Sequence, residues 1–157
     1  MGWFRLALLT AMLAVPAGAQ ENEAPTIRHD PPACGSAATR LRVCAYVVDE
    51  TGIAQVRVNF RAGGTRAYYW TPMAFDGALY CAWLPAPLPE TRVVEYYVEA
   101  VDDQFEPSRT ADQVFPVRPD CPLSAPDSVP PQAVVGTTVV KQPPMPPGFD
   151  PATLTAR

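Results

Sequence analysis

Residues 41–52 read LRVCAYVVDETG, and this stretch indicates most clearly how the chain folds. Alternate side chains along it fall into two sets, one for each face of a strand, and the first set is wholly apolar: Leu41, Val43, Ala45 and Val47 against Arg42, Cys44, Tyr46 and Val48. A period of two residues is typical of a β-strand with one buried face. Asp49-Glu50-Thr51-Gly52 then ends the strand in a turn.

Similar segments recur along most of the chain. They predict strands at residues 26–29, 41–48, 56–60, 66–71, 79–84, 92–101 and 110–117. Gly63-Gly64 and Asp76-Gly77 are turn signals between strands, and residues 85–89 are too rich in proline for a regular ladder. No segment after the N-terminus has helical periodicity. Seven short strands predict an all-β antiparallel sandwich over residues 24–121.

The N-terminus has the pattern of a signal peptide over residues 1–19. Arg5 precedes an apolar run over residues 6–15, and Ala17-Gly18-Ala19 is a small-residue cleavage site. The apolar run is too short to span a bilayer, which takes roughly 20 apolar residues. We therefore expect cleavage after Ala19, a secreted or periplasmic protein, and no membrane span in the mature chain. An uncleaved N-terminal anchor is the alternative.

Composition narrows the classes of function. Loss of Arg5 with the leader leaves 11 basic residues against 16 acidic ones, a net charge of about −5, which argues against nucleic acid as a partner. The only histidine, His29, has no nucleophile motif around it, and no phosphate loop or dinucleotide fingerprint occurs. An enzyme would have to use carboxylates such as Asp102 and Glu99 alone. We expect no enzyme and no cofactor, except for the calcium considered below.

Residues 122–157 are rich in proline, with Pro130-Pro131 and the run over residues 143–147. Such a composition cannot supply a helix or a central strand, and it predicts a disordered, flexible tail. The apolar residues 133–140 interrupt it. They are suited to add as a strand to a sheet edge, either that of the same chain or that of a partner.

The strongest resemblance is carried by residues 88–102, LPETRVVEYYVEAVD. Leu88-Pro89-Glu90-Thr91 followed by Val94, Tyr96, Val98, Ala100 and Asp102 resembles the sixth strand of fibronectin type III domains and of immunoglobulin-like modules in exported bacterial proteins. The resemblance implies a seven-stranded sandwich over about residues 24–119, with Tyr96 as its corner tyrosine. Asp76-Gly77 with Tyr80, Ala82 and Leu84, and the opening Ile27, His29 and Pro31, are similar to the same modules. The four cysteines are a departure from them.

Four scattered cysteines in an exported chain predict two disulfides rather than a zinc site. In a sandwich of the kind implied, Cys34 lies in the loop after the first strand, at the same end as Cys121, which follows the last. Cys44 and Cys81 both fall on the outward phase of neighbouring strands. We therefore expect Cys34–Cys121 and Cys44–Cys81, each stabilising the fold by roughly 4 kcal/mol in the chain-entropy model. The two other connectivities stay open.

Outward-facing aromatic side chains are the candidate binding surface. Tyr46 and Trp83 are expected on one outer face, and Tyr97 with part of the Tyr68-Tyr69-Trp70 run on the other. Such residues anchor protein or polysaccharide ligands. The alternative is that they cover the disulfide and pack against the tail. Separately, the positions of two arginines and two glutamates predict cross-strand ion pairs: Arg57 and Arg61 with Glu95 and Glu99.

Acidic side chains gather in two loops at one end of the predicted sandwich: Asp49, Glu50, Asp102 and Asp103. Calcium prefers several such carboxylates, and Ala100-Val101-Asp102 is similar to a phrase in cadherin-like repeats. Solvated turn residues are the alternative reading. The sequence thus favours a non-enzymatic binding or scaffold module that recognises a protein or polysaccharide through a sandwich face. The alternative function is a calcium-stabilised adhesion-type module that uses the acidic loop end.

Overall fold

The structure, a computed structural model, describes residues 22–122, 133–136 and 145–156. The predicted signal peptide lies outside the described residues. Within them the strands are β1 (Thr26–Arg28), β2 (Arg42–Val48), β3 (Ile53–Ala62), β4 (Tyr69–Pro72), β5 (Ala74–Phe75), β6 (Tyr80–Trp83), β7 (Val93–Asp102), β8 (Pro107–Arg109), β9 (Gln113–Pro116), β10 (Ala133–Val135) and β11 (Leu154–Ala156). One 3-10 turn, Pro151–Thr153, precedes β11.

The strands pair in two antiparallel sheets. The first sheet has the order β1-β2-β6-β5. The second has the order β4-β3-β7, with β8 and β9 both paired to the side of β7 away from β3. Strands β10 and β11 form a separate parallel pair. The prediction of an all-β chain is confirmed.

The last predicted strand, residues 110–117, is divided in the structure. Strand β8 ends at Arg109 and β9 begins at Gln113, and both pair with β7. Thr110 explains the interruption, because its N–H donates to the Val98 carbonyl (2.9 Å) and its hydroxyl accepts from the Val98 N–H (3.1 Å). A side chain thus takes the place of a main-chain carbonyl, and the regular ladder stops there. Strand β5, only two residues long, was not predicted.

The core lies between the two sheets and follows the alternation of the sequence. In β7 every second residue is fully buried, from Val94 through Tyr96 and Val98 to Ala100. Their counterparts in β2 and β3 are Val43, Ala45, Val47, Val56, Val58 and Phe60. A buried side chain of this kind stabilises the fold by about 1.5–3 kcal/mol. A one-residue slip in the pairing of a strand would expose all of its buried side chains, so the register is fixed.

Two disulfides fasten the sandwich. Cys34 is bonded to Cys121, 87 residues away, and Cys44 to Cys81, 37 residues away. These are the two pairs expected from the strand order. Cys44 and Cys81 face each other across β2 and β6 on the outer side of the first sheet. Such bonds persist in oxidising compartments.

The C-terminal region differs from the prediction of a disordered tail, which is wrong for residues 145–156. Phe149 is only 3% exposed, and its ring meets that of Phe60 with centroids 5.1 Å apart. Apolar burial at Phe149 and Leu154 offsets the cost of ordering a proline-rich segment. Within the apolar stretch, Gly136 bridges Trp70 of β4, so the addition is to the chain's own sheet. Residues 123–132, 137–144 and 157 lie outside the described residues.

Candidate binding surfaces

One outer side of the sandwich exposes a group of large apolar side chains. It is the outer side of the first sheet, and we call it the apolar face: Tyr46, Val48, Leu79, Trp83 and the Cys44–Cys81 disulfide. The exposed fractions are 46% for Tyr46, 40% for Val48 and 36% for Leu79. Trp83 is half-buried and lies opposite Arg42. Because the even-numbered residues of β2 point outward, Tyr46 and Val48 stand side by side.

A groove of about 360 Å³ opens beside Tyr46 on the same face. It forms because β1 stays paired with β2 only up to the Arg28–Tyr46 pair, and Pro31 and Pro32 soon follow, which cannot donate to a ladder. Its walls are Arg28, His29, Asp30 and Pro32 from one side, and Arg42, Val43, Cys44, Tyr46 and Leu79 from the other. The groove was not predicted, since it depends on where β1 leaves β2.

Asp76 stabilises the turn at the edge of the apolar face. Its carboxylate accepts hydrogen bonds from the amides of Leu79 (2.9 Å) and Ala78 (3.1 Å) and pairs with the Arg42 guanidinium at 2.9 Å. These bonds, first from Leu79 and Ala78 and then from Arg42, lower the pKa of Asp76. The turn that carries Leu79 is therefore fixed by an ionised carboxylate.

The outer side of the second sheet has a different character, and we call it the arginine-aromatic face. It comprises Arg57, Arg61, Arg109, Tyr68, Trp70, Tyr97, Glu95 and Glu99. Both predicted cross-strand ion pairs are present, with Arg57 and Arg61 each 2.5 Å from a glutamate oxygen, of Glu99 and Glu95 respectively. Arg109 pairs with Asp112. Each of the three arginines of this face is thus paired with a carboxylate.

The aromatic rings of this face are covered by their neighbours. The Arg61 guanidinium lies 4.4 Å from the ring centre of Tyr68, and that of Arg109 lies 4.1 Å from the ring centre of Tyr97. Such stacking occupies the faces on which a ligand would stack. Trp70 is half-buried beneath Gly136, where an added β-carbon would fall 2.3 Å from the indole. The alternative that aromatics pack against the tail therefore holds for Trp70.

The fully buried Tyr96 forms a hydrogen-bonded pair with the half-buried His29. The Tyr96 hydroxyl lies 2.7 Å from His29 Nε2, and His29 Nδ1 lies 2.6 Å from the Cys44 carbonyl oxygen. Because a carbonyl only accepts, Nδ1 carries the proton and Nε2 accepts from the hydroxyl. Burial raises the pKa of Tyr96, which keeps this donor protonated.

The acidic loop end is organised by internal hydrogen bonds. The Asp102 carboxylate accepts from the amides of Gln104 (2.9 Å) and Glu106 (2.7 Å) and from the Asn22 side chain (2.5 Å). Loss of hydration raises the pKa of Asp102, but these bonds outweigh it and the pKa is lowered. Asp49 likewise accepts from the amide and hydroxyl of Thr51.

These loops do not assemble a metal centre among the described residues. No three His, Cys, Asp or Glu side chains there are grouped so that they could hold a metal ion. The candidate calcium ligands Asp49, Glu50, Asp102 and Asp103 therefore do not form such a group. The carboxylates of Asp49 and Asp102 instead accept hydrogen bonds within the turns, and Asp102 is fully buried.

Comparison with known proteins adds no family to this description. No protein-family model matches the chain, and no curated protein matches it. None of the helices among the described residues has the length and apolar character needed to cross a membrane. Function is therefore inferred from the two sheet faces and the groove.

Proposed function

We propose that this chain is an exported, non-enzymatic binding module that recognises a protein partner through the apolar face. One observation carries the proposal: Tyr46, Val48 and Leu79 are exposed together on one side of a rigid sheet. Contiguous apolar side chains on the surface mark interaction sites. Tyrosine and tryptophan are the usual anchors of such sites, and Trp83 lies on the same side.

The surroundings of the apolar face suit a protein interface. Its centre is apolar, and its rim carries the half-exposed Arg42–Asp76 pair and the exposed Arg28. An apolar centre with a polar rim is the usual anatomy of a protein interface. Along β2 the outward neighbours of Tyr46 are Val48 and the disulfide-bonded Cys44.

The module is of the immunoglobulin-like or fibronectin type III-like kind and acts in the periplasm or outside the cell. The sheet orders β1-β2-β6-β5 and β4-β3-β7 support this fold type, because the chain crosses from one sheet to the other after β2, β4 and β6, which gives the strand orders of such sandwiches. The leader-like residues 1–19 and the two disulfides support export.

Site-specific photo-crosslinking tests the proposal in cells that produce the protein. The photoreactive residue p-benzoylphenylalanine replaces Tyr46 in one strain and Val114, which is 57% exposed on the other sheet, in the control strain. We expect a discrete protein adduct at position 46 and none at position 114. Equal labelling at the two positions, or none at position 46, would contradict the proposal.

A glycan array provides the second arm of the test. Binding of the purified protein to a glycan that is lost on Tyr46→Ser, but retained on Val114→Ser, would show that the ligand is a polysaccharide. Both variants change exposed side chains, so their stability should stay within about 0.5 kcal/mol of the parent protein. A loss of binding can then be assigned to the face itself.

A further inference from the structure

The C-terminal segment, residues 145–156, lies in a groove formed by earlier parts of the chain. We call it the tail groove: Arg40, Phe60, Ala62, Tyr69 and residues 86–91. Main-chain hydrogen bonds flank Phe149 on both sides, with Leu88 N–H donating to the Gly148 carbonyl (2.9 Å) and Asp150 N–H donating to the Ala86 carbonyl (2.8 Å). The segment is thus bound as a short antiparallel strand.

The tail groove selects a glycine followed by an aromatic residue. Phe149 packs against Phe60 in the core. Gly148 has a φ of +84°, and an added β-carbon would lie 2.6 Å from the β-carbon of Ala62. Its carbonyl accepts from the Thr91 hydroxyl at 2.7 Å. A side chain at position 148 is therefore excluded both by conformation and by space.

Polar contacts fix the end of the segment. The Thr153 hydroxyl accepts from the Ala86 N–H (3.0 Å), and the Arg40 guanidinium donates to the Thr153 carbonyl (2.6 Å). Leu154 is buried beside them. Main-chain bonds that hold an extended segment, with pockets for selected side chains, are how proteins recognise peptides by strand addition. All these contacts join the segment to residues 40–91, so they do not depend on which copy supplies it.

We propose that the tail groove also binds the C-terminal segment of a second copy of this chain, so that two copies associate by exchanging these segments. Because β10 pairs with β11, residues 133–136 would move with it. Twelve steps along the chain separate Cys121 from Ala133, a reach of up to about 40 Å when extended, against a radius of gyration of about 13 Å for a 100-residue domain. The tether is therefore long enough to reach a neighbour.

Exchange loses no contact of the single chain. Reciprocal exchange restores every contact of the single chain, so only association and ordering oppose it. A short tether gives the chain's own segment an effective concentration in the millimolar range, which keeps dilute protein monomeric. When the segment is disabled in one copy and the groove in another, neither copy can bind its own segment, and this competition is removed. This surface is separate from the apolar face, so the two proposals can fail independently.

Two full-length variants provide the test. Phe149→Ala disables the segment but leaves the groove, and Leu88→Pro removes the N–H that holds the Gly148 carbonyl but leaves the segment. We expect each variant alone to be monomeric by native mass spectrometry, and the mixture to form a one-to-one dimer. A Phe149→Ala chain mixed with the Phe149→Ala/Leu88→Pro double variant is the matched control and should give at least tenfold less dimer.

A dimer absent from the first mixture, with both variants folded and disulfide-bonded, would overturn the proposal. If either variant fails to fold, a fluorescent peptide of residues 145–156 is titrated into the full-length Gly148→Ala chain. We expect the peptide to bind at least tenfold more tightly than the same peptide with Gly148→Ala. Equal binding by the two peptides, or binding by neither, would also overturn it.

Discussion

The hydrogen bond between His29 and Tyr96 leads to a stability prediction that mutation can test. His29→Ala removes two hydrogen bonds, each of about 1 kcal/mol, and leaves the Tyr96 hydroxyl buried without its partner at a further cost of about 1–3 kcal/mol. We expect a loss of about 3–5 kcal/mol in the free energy of unfolding. At about 4 °C per kcal/mol, the melting temperature falls by about 12–20 °C.

A double-mutant cycle isolates the pair. Tyr96→Phe alone removes the same bond from the other side, whereas the double variant His29→Ala/Tyr96→Phe leaves no orphaned hydroxyl. The losses should therefore be non-additive by about 1–2 kcal/mol. Urea unfolding of the four proteins, followed by tryptophan fluorescence, measures it. Additivity within about 0.5 kcal/mol would refute the bond.

Three further predictions concern the ionisation of Tyr96 and Asp102 and the burial of Phe149. Burial raises the pKa of Tyr96, so the stabilising effect of its protonated hydroxyl is full below the ordinary tyrosine pKa of about 10 and is lost as pH rises. The urea midpoint of unfolding should therefore fall in alkali for the parent protein, but less for Tyr96→Phe. The pKa of Asp102 is lowered, so the contribution of its carboxylate to stability is present above the ordinary pKa of 3.8 and disappears as pH falls. Asp102→Asn should therefore reduce the loss of stability in acid. An unchanged loss of stability in acid would contradict the hydrogen bonding described. Phe149→Ala should cost about 3–5 kcal/mol in calorimetry against less than about 0.5 for the exposed Val114→Ala, and equal effects would place Phe149 outside the core.

The sandwich was predictable because its signal is local. Period-two alternation from Leu41 to Val48 places side chains on two faces, and a buried face then fixes the register. Both ion pairs follow from the same phase, since Arg57 and Arg61 point outward in register with Glu99 and Glu95. The disulfide pairs needed one further step, the order of strands implied by the resemblance.

The binding surfaces were less predictable, because residues distant in the sequence decide which outward-facing side chains stay exposed. Tyr97 has an outward phase, as expected, but Arg109 from a later strand lies over its ring. Composition predicted disorder for the C-terminal region, whereas burial of Phe149 depends on a gap between Phe60 and the loop at Ala86 that no local pattern encodes. The groove beside Tyr46 likewise depends on where β1 ends.

The bridge between Gly136 and Trp70 has a consequence for solubility. Trp70 exchanges main-chain hydrogen bonds with Gly136 at 2.9 and 2.8 Å, so the outermost strand of the second sheet has no open main-chain groups at that position. Uncovered edge strands act as templates for aggregation between molecules. A chain that stops at Pro122 would uncover β4 there, so we expect it to aggregate through pairing of strand edges more readily than the full chain does.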